Sequence, residues 1–151
     1  MSTITRDFTV ATFVLHQGKV LLLWHKKLQM WLPPGGHIEP NELPDEAAIR
    51  EVKEESGLEV VLLSRPGLPP VPGPLQLARP EGIQLEQIGP DHQHIDLIYF
   101  ARPADPAAVK PVANDEAERV GWYGRDQLHL IPLTEEVRAW IEKALAAAET
   151  E

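Results

Sequence analysis

Glu51, Glu54 and Glu55 stand at i, i+3 and i+4. On a helix of 3.6 residues per turn that spacing puts all three carboxylates on one face, with Ile49 and Val52 directed elsewhere, toward a core. Like charges so placed repel each other even when exposed, and a divalent cation turns that repulsion into binding. Mg²⁺ and Mn²⁺ prefer carboxylates, carbonyls and water, and Mg²⁺ bridges protein acids to substrate phosphates. The ridge therefore suits phosphoryl chemistry. Just upstream, Pro33-Pro34-Gly35-Gly36 combines two residues without a backbone donor and two that tolerate conformations closed to other side chains. Such a loop exposes carbonyls and amides to the same ion or to a phosphate. Singly, each piece is ordinary: an acidic run is usually a solvated helix face, and Pro and Gly punctuate loops. Their joint spacing carries the argument.

These side chains need a frame. Phe8 to Leu15 and Lys19 to Trp24 are rich in β-branched and apolar residues and flank His16-Gln17-Gly18, which predicts a hairpin. Pro33 to Gly36 reads as a sharp loop after Met30-Trp31-Leu32. Pro44-Asp45-Glu46 suits a first helical turn and Gly57 a C-terminal stop, so a helix is predicted from Pro44 to Ser56. Leu58 to Leu63 reads as a buried strand. Residues 65–80, with six prolines and two glycines, read as an irregular surface loop. Further strands are predicted at Gly82 to Ile88, His94 to Ala101 and Arg119 to Tyr123, and an amphipathic helix at Thr134 to Ala148. This order predicts an α/β (α+β) domain in which helices pack a mixed sheet.

Read as one pattern, Gly36, five residues, Glu42, seven residues, then Arg50-Glu51-Val52-Lys53-Glu54-Glu55-Ser56-Gly57-Leu58 resembles the Nudix box. Its nine fixed positions over 23 residues are all met, a far more specific signal than a lone glycine motif. The box covers about a sixth of the chain, and the strands and closing helix around it also look like the Nudix sandwich of a mixed sheet between helices.

The resemblance implies a pyrophosphohydrolase that uses Mg²⁺ or Mn²⁺. Water would attack a phosphorus of a nucleoside diphosphate derivative or a nucleoside triphosphate. It implies Glu54 and Glu55 as metal ligands, Glu51 as a further ligand or base, and the Gly35 carbonyl as a ligand. Arg50 would be held in ion pairs with Glu42 and Glu51, because a guanidinium fork orients carboxylates. The family often adds a carboxylate from a loop late in the sheet, and Glu116 or Glu118 sits at a similar place. The alternative is a catalytically silent Nudix-fold module that senses a nucleotide, which loss of the metal glutamates would favour; all three are present. A homodimer fits the family's habit, although the sequence shows no interface.

The remaining features bound the function. At 151 residues with 43% hydrophobic and 25% charged content, one globular domain spanning residues 1–151 is expected. The absence of cysteine excludes disulfides, thiolate metal sites and a cysteine nucleophile. With no signal segment or spanning stretch in the sequence, a cytoplasmic location without a membrane role is the expectation. The net charge of -9 disfavours nucleic acid as a partner and leaves a small nucleotide-type substrate. In Asp91-His92-Gln93-His94-Ile95-Asp96 a His-x-His pair shares one strand face, and a substrate-lining or structural role is preferred over a second metal centre. His37, His94 and Arg102 are candidate substrate contacts, with Arg65 and Arg79 as unranked phosphate contacts. Trp24, Trp31 and Trp122 could stack on a base but suit a core better.

Overall fold

The structure, a computed structural model, describes residues 3–113 and 117–149, without the side chains of Ala117 and Glu118. In chain order the elements are β1 (Thr5–His16), β2 (Lys19–His25), β3 (Met30–Leu32), β4 (Gly35–His37), α1 (Pro44–Ser56), β5 (Val60–Leu62), β6 (Gly82–Gly89), β7 (His92–Pro103), β8 (Ala117–Gly124), α2 (Arg125–Leu128) and α3 (Glu135–Glu149). The strand order is β3-β2-β1-β7-β5, with β4 on β1, β6 on β7 and β8 on β2. β1 runs parallel to β7 from Thr5↔His92 to Val14↔Ala101, while its other partners are antiparallel. The result is a mixed α+β sheet.

The centre of that sheet is covered on both faces, which is why β1 from Val10 to Leu15 and β7 from Leu97 to Ala101 read as nearly continuous apolar runs. Alternate residues separate the faces. Phe13, Leu15, Ile98 and Phe100 join Val137, Ile141 and Leu145 of α3 in one cluster. Val14, Val10, Tyr99 and Ala101 lie in the clusters that hold Ala47, Ala48 and Val52 of α1. Each helix buries only its apolar stripe, leaving the acidic face of α1 available for chemistry.

α1 begins with Pro44 in its first turn and ends at Gly57, whose φ of 77° is the left-handed conformation glycine adopts most easily. The Gly57 N–H closes the helix by donating to the Lys53 carbonyl at 2.8 Å. Both ends fall where the sequence puts them. The 30–37 segment differs: β3 and β4 flank Pro33-Pro34 in place of a free loop. Three-residue strands are too short to show alternation, and their pairing with β2 and β1 is long-range. β5 is shorter than the Leu58 to Leu63 run, because the Leu58 N–H is taken by the Ser56 hydroxyl below the helix end. Residues 65–80 form no helix or strand beyond an isolated Pro66↔Ala78 bridge. Among the described residues, no helix is long and apolar enough to cross a membrane.

Candidate active site

Arg50 organises the acidic face of α1. Its Nε donates to Glu42 Oε2 at 2.7 Å and its Nη2 to Glu42 Oε1 at 3.0 Å, a two-pronged contact. Nη1 donates to Glu51 Oε1 at 2.9 Å and Glu54 Oε2 at 3.1 Å, and Nη2 also reaches the His37 carbonyl at 2.9 Å. One guanidinium thus fixes three carboxylates and the end of β4. The hydrogen bond from Arg50 holds the Glu42 carboxyl below the usual carboxylate value, and Glu42 in turn keeps Arg50 firmly protonated.

The glycines let the backbone come close to these acids. A Cβ on Gly36 would lie 2.4 Å from Glu51 Oε1, and one on Gly35 would lie 2.4 Å from the Val10 carbonyl oxygen of β1. The Gly35 N–H donates to Glu55 Oε1 at 2.7 Å. Helix and β4 therefore meet with carboxylate oxygens packed directly on backbone, an arrangement that any side chain at Gly36 would displace. The donor set around this junction is all oxygen, the chemistry that Mg²⁺ or Mn²⁺ requires. The residues fit a hard divalent cation.

From this junction a cavity of about 340 Å³ opens on the α3 side of the sheet, with Gly35, Gly36 and Glu55 at one end and Glu136 and Val137 of α3 at the other. Its polar wall is carboxyl-rich. Asp96 on β7 is 8% exposed and accepts a hydrogen bond from the Thr9 hydroxyl at 2.8 Å. Glu86 of β6 and Glu136 of α3 also line the cavity. Burial raises all three carboxyls above their ordinary values, with Asp96 adding repulsion at Glu86 and at Glu136. His94 lines the same wall, and its own burial, followed by the nearby His37 and His92, favours its neutral form.

The structure brings Glu42, Arg50, Glu51, Glu54, Glu55 and Gly35 together, with His37 and His94 at the cavity. Arg102 is elsewhere: it lines a separate hollow with Leu15, His16 and Leu145, and its guanidinium donates to the Pro103 carbonyl. Its position on β7 places it near the β1–β2 turn, far along the strand from His94. Glu116 and the Glu118 side chain lie outside the described residues. Trp31 is buried in the core, Trp122 donates its indole N–H to the Val109 carbonyl, and Trp24 lines the cavity beneath the Arg119 guanidinium, 5.1 Å from its ring centroid. Glu86, Glu136 and Arg119 escape a reading of the sequence, and Asp96 enters it only as the end of the Asp91-to-Asp96 stretch, without a role of its own. The one signal is the period-two series His92, His94, Asp96, which puts all three on one face of β7.

Comparison with known proteins agrees with this construction. The family profile described as the NUDIX domain matches residues 5–145. The crystal structure of a NUDIX-family hydrolase from Clostridium perfringens superposes with a TM-score of 0.81 and 34% identity, covering 96% of this chain and 99% of that one. The 8-oxo-dGDP phosphatase NUDT18 of Homo sapiens is 29% identical over 144 residues, 85% of this chain and 38% of its own length. The m7GpppN-mRNA hydrolase NUDT17 of Bos taurus is 52% identical over 60 residues, 36% of this chain and 20% of its own. The chain thus spans well under half the length of these two curated relatives. With the box, the sheet and the profile in agreement over nearly all of its length, the chain belongs to the NUDIX domain family.

Proposed function

We propose that the chain hydrolyses a diphosphate linkage in a nucleoside diphosphate derivative or nucleoside triphosphate. The observation that carries the reading is the junction of Glu51 with Gly36 and of Glu55 with Gly35, Glu54 being tied to Glu51 through Arg50, beside a cavity sized for a base and sugar. Glu51, Glu54 and Glu55, with backbone at Gly35, would hold Mg²⁺ or Mn²⁺, which when bound supplies a Lewis acid for phosphate oxygens and for water. Water adds to one phosphorus, the anhydride P–O bond breaks, and the bridging oxygen leaves with the other phosphate. A glutamate of the ridge takes the proton released by the water. Arg50 does not reach toward the cavity; it fixes the directions of Glu42, Glu51 and Glu54.

The cavity wall narrows the substrate. Asp96, Glu86 and Glu136 offer oxygens that accept from ring N–H and amino groups, and a guanine-type edge carries both. An oxidised guanine adds one more ring N–H. The relative named for 8-oxo-dGDP supports the same choice. We therefore place guanine nucleotides, oxidised ones first, ahead of nucleotide sugars and dinucleoside polyphosphates.

The test is release of phosphate and pyrophosphate from a nucleotide panel with Mg²⁺, with Mn²⁺ and with a chelator. Metal-dependent cleavage of guanine nucleotides supports the reading. Nucleotide binding without turnover in either metal would make the chain a sensor instead.

A further inference from the structure

Another cluster of titratable side chains lies beside the glutamate ridge. Asp7 on β1, His37 on β4 and His94 on β7 each present a ligand atom, and these atoms all lie within 4.8 Å of one another. The sheet itself brings them together. Asp7 and His94 are Cα partners in the parallel β1–β7 ladder, and His37 pairs with Thr9, two residues along β1 on the same face as Asp7. Three adjacent strands fix the spacing, so little ordering remains for a ligand to impose.

The geometry points to a second metal site: we propose that Asp7, His37 and His94 bind a borderline divalent transition ion of the Zn²⁺ class at the rim of the cavity. Two ligands about 2.1 Å from an ion and at a tetrahedral angle stand about 3.4 Å apart. His37 Nε2 and Asp7 Oδ2 are already 3.1 Å apart. The ring centroids of His37 and His94 are 5.0 Å apart, so a small rotation of the exposed Asp7 and His37 side chains closes the set on the half-buried His94. Two imidazoles and one carboxylate select against Mg²⁺, which prefers oxygen, and favour zinc, cobalt or nickel. Three protein ligands also leave coordination positions open, the mark of a site that engages a further group.

His92 completes the arrangement from behind. Its Nε2 lies 3.2 Å from Asp7 Oδ2, and its Nδ1 lies 2.8 Å from the Thr5 hydroxyl. A ligating carboxylate held by a hydrogen-bonded neighbour is the usual support for such a metal. His92 is thus a positioning residue and not a ligand. The site sits beside the glutamate junction, since His37 follows Gly36 directly and its carbonyl is bound by Arg50. Because His37 and His94 both line the cavity, the open positions of this ion are available to a phosphate or base of the bound nucleotide.

The inference stands on the cluster and does not depend on hydrolysis. It is tested on the intact chain, prepared metal-free, by calorimetric titration with Zn²⁺ and by the visible absorption of added Co²⁺. With the ridge disabled by Glu54→Gln and Glu55→Gln, one ion is expected to bind with visible bands of reduced symmetry. Binding should survive in the Glu54→Gln, Glu55→Gln double variant and weaken at least tenfold in His94→Ala. His37→Gln, at a side chain 59% exposed, serves as a second variant should His94→Ala disturb the fold. The proposal is overturned by the absence of saturable Zn²⁺ binding, by binding that both histidine variants leave unchanged, or by binding lost in the glutamate variant alone.

Discussion

Glu55 reaches back from the last turn of α1 to accept the Gly35 N–H at 2.7 Å, tying the helix that carries the acids to the strand that begins with the glycine pair. The next glycine in the chain has a different neighbour. Gly35 backs onto the Val10 carbonyl of β1, whereas Gly36 backs onto the Glu51 carboxylate, each at 2.4 Å from where a Cβ would stand.

This difference separates two substitutions. In Gly35→Ala the obstacle is backbone in the central strand, which cannot give, so stability should fall by about 1–3 kcal/mol. In Gly36→Ala the obstacle is a side-chain end, so the fold should hold while Glu51 is pushed from its place. A kcat loss of about tenfold or more is expected with a nearly unchanged urea midpoint. Equal effects of the two variants on stability would contradict this assignment.

The Glu42–Arg50 contact sets a pH dependence. Glu42 has a folded value below its ordinary 4.5, so its contribution to stability is present above 4.5 and lost as pH falls through the depressed folded value. Urea unfolding of the protein and of Glu42→Gln should therefore differ most near neutral pH and converge in acid. A gap that stays constant down to acid pH would show that the carboxylate charge is not what Arg50 holds.

Asp96 has the opposite sign. Burial raises its folded value above the ordinary 3.8, so its favourable contribution is present below 3.8 and lost as pH rises through the raised folded value. Asp96→Asn should melt higher than the parent at pH 8, since the Thr9 hydroxyl keeps an acceptor. The same change should raise KM for guanine nucleotides about tenfold, the equivalent of one lost hydrogen bond to a charged group. A variant that melts higher with unchanged KM would remove Asp96 from the substrate's wall.

Arg102→Ala provides the control. Its guanidinium lies at a separate hollow and bonds the chain locally, so kcat/KM should stay within about twofold of the parent.

The glutamate ridge was legible because its positions are contiguous: helix periodicity alone puts Glu51, Glu54 and Glu55 together, and Pro44 and Gly57 bound the helix on either side. The cavity wall was not, since Asp96, Glu86 and Glu136 come from two strands and a distant helix. Only the β6–β7 register, Glu86↔His94 and Gln84↔Asp96, and the seating of α3 bring them to one place. Asp7 illustrates the same limit. It reads as one polar residue near the start of the chain until the parallel β1–β7 ladder sets it beside His94, a pairing across 87 positions that no local pattern encodes. The short strands around Pro33-Pro34 were hidden for a related reason, as three residues carry no period.

The central claim is that the α1 carboxylates perform metal-dependent hydrolysis, and the most direct measurement is the turnover of an oxidised guanine nucleotide by the Glu54→Gln, Glu55→Gln double variant in Mg²⁺ and in Mn²⁺. With the circular dichroism spectrum and urea midpoint retained, turnover should fall by about 10³-fold or more, in keeping with loss of cation and proton acceptor together. Turnover within a few fold of the parent in either metal would contradict the account.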